Sequence, residues 1–307
     1  MEFGYEGDTR LIASKETHAA KSLHHPRRPS AVKFKVNGIC INRCVFCPFH
    51  SDRRRLEVSD LSSFFDKAGD RRFSEIVING GEPTLHPHFA EICAFLKARF
   101  KGQALLTLGT NLIPLTWKRG RYPALLARIL ETYDKLEVGC DDEHKNIGAL
   151  ESLAPVFAEA GVDLKINTLP AYCSGQTRKR IEAVGKKFGF AIRRSDVHHF
   201  CHSAPAIRHV TARCADRTSV LLFNCNGDGF FCYRQELQQP SFNLHTVTPE
   251  DLRYFIDKYD PEPYRFCSHC SAYVAEGPLE TFRRKLSRMS RAMREACSLR
   301  GIQPAPR

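Results

Sequence analysis

Apolar and polar positions alternate with two different periods along this chain. In Ala31–Asn37, Val32, Phe34 and Val36 alternate with Lys33, Lys35 and Asn37, the period of a strand. Further short apolar segments predict strands at Glu75–Asn79, Ala104–Gly109, Leu136–Cys140, Asp163–Thr168 and Phe190–Arg194. Amphipathic stretches near 59–69, 87–100, 121–132, 146–160 and 176–188 predict helices between them. Ser59 with Asp60 marks a start for the first helix, and Gly161 a stop for the fourth. Strands alternating with helices predict a parallel α/β sheet over 31–196, wound as a partial (β/α)6 TIM-like barrel or as an open doubly wound sheet.

The pattern changes after about residue 196. Ser219–Asn224 and Phe230–Tyr233 predict two strands around Asn226-Gly227-Asp228-Gly229, a hairpin signal. This predicts a small second unit over 197–276. Residues 1–30 read as an extended arm, and 277–307 as a basic helix, about Leu279–Ser298, with a Pro-containing tail.

At 307 residues the chain has room for one large domain and a small one. No apolar run nears the roughly 20 residues that span a bilayer, and the first residues lack the apolar core of a signal peptide. The expectation is a cytoplasmic protein that does not enter a membrane. The net charge is +12, concentrated near the C-terminus, which favours anionic partners or a solvated helix face. Nucleic acid is a poor candidate partner, because few aromatics interleave with the arginines of that segment.

There are 13 cysteines. In a reducing compartment such clusters bind metal or do redox chemistry more often than they form disulfides. Cys40, Cys44 and Cys47 form C-x3-C-x2-C just after the first strand. Three thiolates suit a [4Fe–4S] cluster with one iron left open, or a zinc ion with His50 as fourth ligand. Cys214, Cys232, Cys267 and Cys270 could close a second metal site around the hairpin. Cys225 is surplus to that set.

The first motif, with Phe46 before its last cysteine, resembles that of the radical S-adenosylmethionine (radical SAM) superfamily. Asn79-Gly80-Gly81-Glu82-Pro83 at the end of the second strand resembles the GGEP segment of the same superfamily. The resemblance spans about Val32–Arg194 and implies a partial barrel with its cluster at the C-terminal mouth of the strands. It implies that Gly80, Gly81 and Glu82 hold the amino group of S-adenosylmethionine. It places Phe46, Thr110, Asn111, Asp141 and Asn167 where the superfamily often contacts that cofactor, although Gly139-Cys140-Asp141 departs from the common Ser-x-Asp segment. The second cysteine set resembles a twitch domain, the short relative of the SPASM domain, with one auxiliary [4Fe–4S] cluster.

The resemblance further implies an enzyme that cleaves S-adenosylmethionine reductively, with an electron donor such as flavodoxin or ferredoxin, and abstracts hydrogen from its substrate. A polar small molecule of sugar or aminocyclitol type, anionic in one version, is the expected substrate. If the auxiliary cluster accepts an electron, the product is oxidised and a base must take a proton. Arg193, Arg194, His198, His199 and His202 are the candidate residues there. If Cys225 returns a hydrogen atom, the product is an epimer. The alternative is a peptide maturase, disfavoured because the 30-residue arm is short for a leader-binding domain.

Overall fold

The computed structural model describes residues 29–47, 53–194, 212–214, 220–230, 240, 242–258 and 273–275. Six βα-type strands run side by side in one sheet: β1 (Ala31–Lys35), β2 (Glu75–Asn79), β3 (Leu105–Thr110), β4 (Lys135–Gly139), β5 (Asp163–Thr168) and β6 (Ala191–Arg194). All five neighbouring pairs are parallel and follow chain order, which is the partial barrel and not the doubly wound alternative that the alternation left open. The connecting helices are α1 (Val58–Ala68), α2 (Phe89–Phe100), α3 (Tyr122–Thr132), α4 (Ile147–Glu159) and α5 (Gly175–Phe188).

One face of each strand is sealed by these helices. Val32 and Phe34 of β1, Ile76 and Ile78 of β2, Leu106 and Leu108 of β3, and Leu136 and Val138 of β4 are buried in a single core. Phe34 packs edge-on against Phe64 of α1 at 5.2 Å. The intervening residues are polar on most strands and face the other way, into the barrel lumen. Polar side chains on one face of a parallel sheet are unusual, since such sheets are commonly buried on both.

Local chemistry sets the helix ends. The cap of α1 is Glu57 and not Ser59: Asp60 Oδ2 accepts a hydrogen bond from the Glu57 backbone N–H at 2.8 Å. An acidic residue at the third helical position thereby satisfies the exposed amide before the helix, as in a capping box. Gly161 does end α4, at φ 66°.

The hairpin departs from expectation in register. Its strands are β8 (Val220–Phe223) and β9 (Asp228–Phe230), after β7 (Ala212–Cys214). The turn is Asn224–Gly227, two residues earlier than read, because Gly227 supplies the positive φ of 84° and its N–H donates to Asn224 O at 3.0 Å. Nor does the hairpin stand apart from the sheet. β8 lies parallel against β1, and β9 pairs with β10 (Phe242–Asn243), so the sheet has nine strands in the order β10-β9-β8-β1-β2-β3-β4-β5-β6.

A helix absent from the sequence reading follows, α6 (Pro249–Lys258). Thr248 Oγ1 accepts from the Asp251 N–H at 3.1 Å, and Arg253 Nε donates to Lys67 O of α1 at 3.1 Å. β11 (Tyr273–Ala275) pairs antiparallel with β7. The expected helix over 279–298 and the arm over 1–28 lie outside the described residues.

Candidate active site

The site gathers at the C-terminal ends of the strands, where parallel barrels place their chemistry. The loop after β1 carries Cys40, Cys44 and Cys47, and the turn after β2 clasps it. Gly81 N–H donates to Asn37 O and Glu82 N–H to Ile39 O, both at 2.7 Å. A Cβ on Gly80 would stand 2.5 Å from Asn37 O, and one on Gly81 2.4 Å from Ile39 O. Both distances are too short for any side chain, so the glycines are required by the approach of the cysteine loop.

Glu82 is fully buried, with 0% exposure. Its Oε1 accepts from Thr84 Oγ1 at 2.7 Å and Thr110 Oγ1 at 2.9 Å, and its Oε2 from Asn111 N–H at 2.6 Å. Burial pushes its pKa up, while these donors pull it down. In this structure the carboxylate ties β2 to the end of β3 and faces inward. Asn111 then reaches Cys40, with Nδ2 3.7 Å from Sγ. Glu82, Thr110 and Asn111, read from the sequence as cofactor contacts, therefore form one buried chain of bonds behind the cysteine loop.

Cys44 is buried, and Cys40 and Cys47 are half-buried. Burial pushes the Cys40 thiol up, and pushes Cys44 to about 12 with help from Asp141. Metal binding takes cysteines as thiolates, so a cluster held here would displace these protons. Among the described residues no three His, Cys, Asp or Glu side chains converge as a single metal ion requires. One zinc ion needs every donor at about 2.0–2.3 Å. A four-iron core takes each thiolate on a separate iron, and this loop offers three free thiols. His50 lies outside the described residues.

Beyond β4 the chain makes a tight turn that the sequence reading recognised only in Asp141. Asp141 Oδ1 accepts from the His144 N–H at 2.9 Å and sits 2.8 Å from His144 Nδ1. An ionised carboxylate there makes Nδ1 the protonated nitrogen and leaves Nε2 with its lone pair. The imidazole lies across Gly139, whose Cβ, if present, would be 2.8 Å from Nε2. Gly139 follows Lys135 and Glu137 on the lumen face, so the imidazole lies on the lumen side of β4. The cysteine loop leans on this turn: Asn42 Nδ2 donates to His144 O at 2.7 Å, and Cys44 Sγ to Glu143 O at 3.5 Å. Phe46 packs on the His144 ring at 5.5 Å and on Tyr172 at 5.1 Å.

The other expected residues are distributed more widely. Asn167 and Arg193 are register partners on β5 and β6. Ile192 packs against Gly185 of α5, so its neighbour Arg193 takes the lumen face. Arg194 takes the helix face, where it pairs with Glu182 at 3.0 Å. The two arginines are therefore not one constellation. Cys225 is buried in the β8–β9 turn, at the same end of the sheet as the cysteine loop, because β8 runs parallel to β1. Cys214 lies in β7 opposite Tyr273 of β11. Cys232, Cys267, Cys270, His198, His199 and His202 lie outside the described residues.

Comparison with known proteins agrees with this geometry. Residues 34–147 match the family model described as the Radical SAM superfamily. The fold is similar to that of Streptococcus suis SuiB bound to its precursor peptide SuiA, with a TM-score of 0.57 and 14% identity over 80% of this chain and 70% of that one. It is also similar to anSMEcpe with bound AdoMet and Cp18Cys peptide, with a TM-score of 0.51 and 12% identity over 79% of this chain and 86% of that one. A weaker likeness joins it to BtrN in complex with AdoMet and 2-DOIA, with a TM-score of 0.47 and 13% identity over 76% and 88%. No curated protein matches the sequence. The superfamily binds a [4Fe–4S] cluster through cysteines together with S-adenosylmethionine, and the segment of this chain that is similar to it, residues 34–147, holds the cysteine loop, the glycine turn that clasps it and the Asp141–His144 turn.

Proposed function

We propose that the protein is a radical SAM enzyme in which Cys40, Cys44 and Cys47 hold the cluster, and that it oxidises or epimerises a polar small molecule of sugar or aminocyclitol type. The observation that carries the reading is the opening of the cysteine loop onto a lumen lined with charged and amide side chains. An apolar substrate would leave those groups without partners. When bound, the cluster and S-adenosylmethionine supply one-electron cleavage of the sulfonium and a carbon radical that abstracts hydrogen.

The chain's own residues do the rest. The Glu82–Asn111 chain fixes the cysteine loop from behind. Phe46, wedged between His144 and Tyr172, fixes its outer edge. His144 Nε2, held by Asp141, is the proton acceptor. Oxidation of an alcohol carbon to a carbonyl removes one hydrogen atom, one proton and one electron; His144 would take the proton, and an auxiliary iron–sulfur centre, if held, would supply the electron acceptor. Cys214, Cys232, Cys267 and Cys270 would hold that centre. The β7–β11 pairing supports this, since it sets Cys214 opposite Tyr273, three positions beyond Cys270 in sequence. Flavodoxin or ferredoxin is the class of donor that such a cluster needs.

Anaerobic reconstitution with iron and sulfide, then incubation with S-adenosylmethionine and dithionite, tests the reading. About eight irons per chain are expected, and about four after Cys40, Cys44 and Cys47 are all replaced by Ala. 5′-Deoxyadenosine should form with the wild type alone. Zinc in the second site would remove the electron acceptor, and with it the oxidation.

A further inference from the structure

Charged side chains line the lumen at successive levels along the barrel axis. The register places Lys33 of β1, Lys135 of β4 and Asp163 of β5 on one level near the start of the strands, with Glu75 of β2 one level below. Lys35 and Lys165 lie one level higher with Glu137, and Arg193 one level higher again, at the mouth. Glu137 leans toward the lower level: its Oε1 is 3.0 Å from Lys135 Nζ and 3.8 Å from Lys165 Nζ. The lysines around it hold its carboxyl below the usual range despite burial. Among the described residues, Lys165 and Arg193 thus stand on the mouth side of Glu137, whose carboxylate Lys135 already engages. The Arg193 side chain is exposed and makes no hydrogen bond or ion pair among the described residues.

We infer that this mouth half binds an anionic group, phosphate or carboxylate, on a small substrate, with Lys165 and Arg193 as its contacts. The inference rests on the reading of the lumen as the substrate chamber and adds the charge of what enters it. Low-dielectric walls focus the field of like charges into the cleft and raise the local concentration of a counter-charged ligand. The two side chains do different jobs. An ammonium acts as a point charge, whereas the guanidinium fork fixes two oxygens of a planar or tetrahedral anion. Asn167, the register partner of Arg193, places an amide beside that fork.

The test is calorimetric titration of the full reconstituted chain at low salt with inorganic phosphate, with acetate as a second arm and glycerol as the uncharged control. Saturable binding of an anion and none of glycerol is expected. Tighter binding of phosphate than acetate identifies a phosphorylated substrate, and the reverse a carboxylate. Lys165→Met and Arg193→Gln should each weaken binding about tenfold, the loss of one charge-assisted contact. Lys186→Met, on the exposed end of α5, should leave it unchanged. Circular dichroism confirms that each variant is folded, and Arg193, being exposed, serves if Lys165→Met is not. Absence of saturation overturns the inference, as does equal weakening by Lys186→Met, which would mean adventitious surface binding. 5′-Deoxyadenosine formation, read on the same samples without phosphate, tests the radical SAM reading separately. Anion binding without that product would overturn the reaction, and the product without anion binding would overturn only the inference.

Discussion

The two faces of the barrel sheet are built from the same strands and do opposite work. On the helix side, Phe34 is boxed by Phe64 at 5.2 Å and by Phe223 of β8 in a stack at 5.2 Å. On the lumen side, its neighbours Lys33 and Lys35 stay half-buried. Apolar burial pays for the fold on one face, which leaves the other free to keep charges that a core would reject. A strand in this protein is thus a two-sided device, and the period of two in its sequence separates stability from chemistry.

The largest effect should come from the sealed face. Phe34→Ala removes a ring that three helix and strand aromatics surround, and a buried Phe→Ala change costs about 3–5 kcal/mol. Urea denaturation of the cluster-free chain measures it. A loss below about 1 kcal/mol would mean that the aromatic box does not hold the sheet, and the comparison would fail at its first term.

His86, in the turn after β2, gives the next effect, and it depends on pH. The residue is fully buried, and burial lowers its pKa from 6.5 to about 4. Folding therefore favours the neutral ring. Its contribution is complete above pH 6.5 and is lost as pH falls toward 4, because the unfolded chain takes up a proton that the folded chain refuses. The expected loss is on the order of 3 kcal/mol across that window, at about 1.4 kcal/mol per unit. Stability of wild type and His86→Gln at pH 7, 6 and 5 should converge as the pH falls. Parallel curves would show that another group sets the acid limb.

Much of this architecture was legible in the sequence, and the failures have identifiable causes. Strand β2 and strand β5 fall on the expected residues, because their alternation ends in turn residues at both sides. Helix α6 lies outside the predicted elements although Thr248-Pro249-Glu250-Asp251 is a capping signature, because ten residues hold fewer than three turns of apolar repeat. The cysteine loop and the glycine turn were recognised, but not that the glycines serve each other's loops. A close approach of two backbone segments leaves no trace in either segment alone. Glu82 was read as facing the cofactor, whereas Thr84 and Asn111 turn it inward, and only the register of β2 against β3 reveals this. His144 carried no signal beyond its spacing of three from Asp141. Arg193 and Arg194 looked like a pair, yet adjacent strand residues point to opposite faces.

The smallest effect sharpens the comparison most. Lys165→Met should change stability by no more than about 0.5 kcal/mol. Its ion pair with Glu137 spans 3.8 Å, with roughly a quarter of each side chain exposed. Pairs of that kind contribute about 0–1 kcal/mol. Removing Lys165 does not orphan Glu137, which keeps Lys135 at 3.0 Å. Met also retains the apolar stem that Lys lays along the strand. Urea midpoints of the two chains should therefore nearly coincide at high salt, where the residual attraction is screened. A loss above about 2 kcal/mol would make the lumen lysines part of the core. A coincident midpoint combined with tenfold weaker anion binding would separate the two faces within a single residue, because the substitution would alter what the barrel holds and leave the barrel itself unchanged.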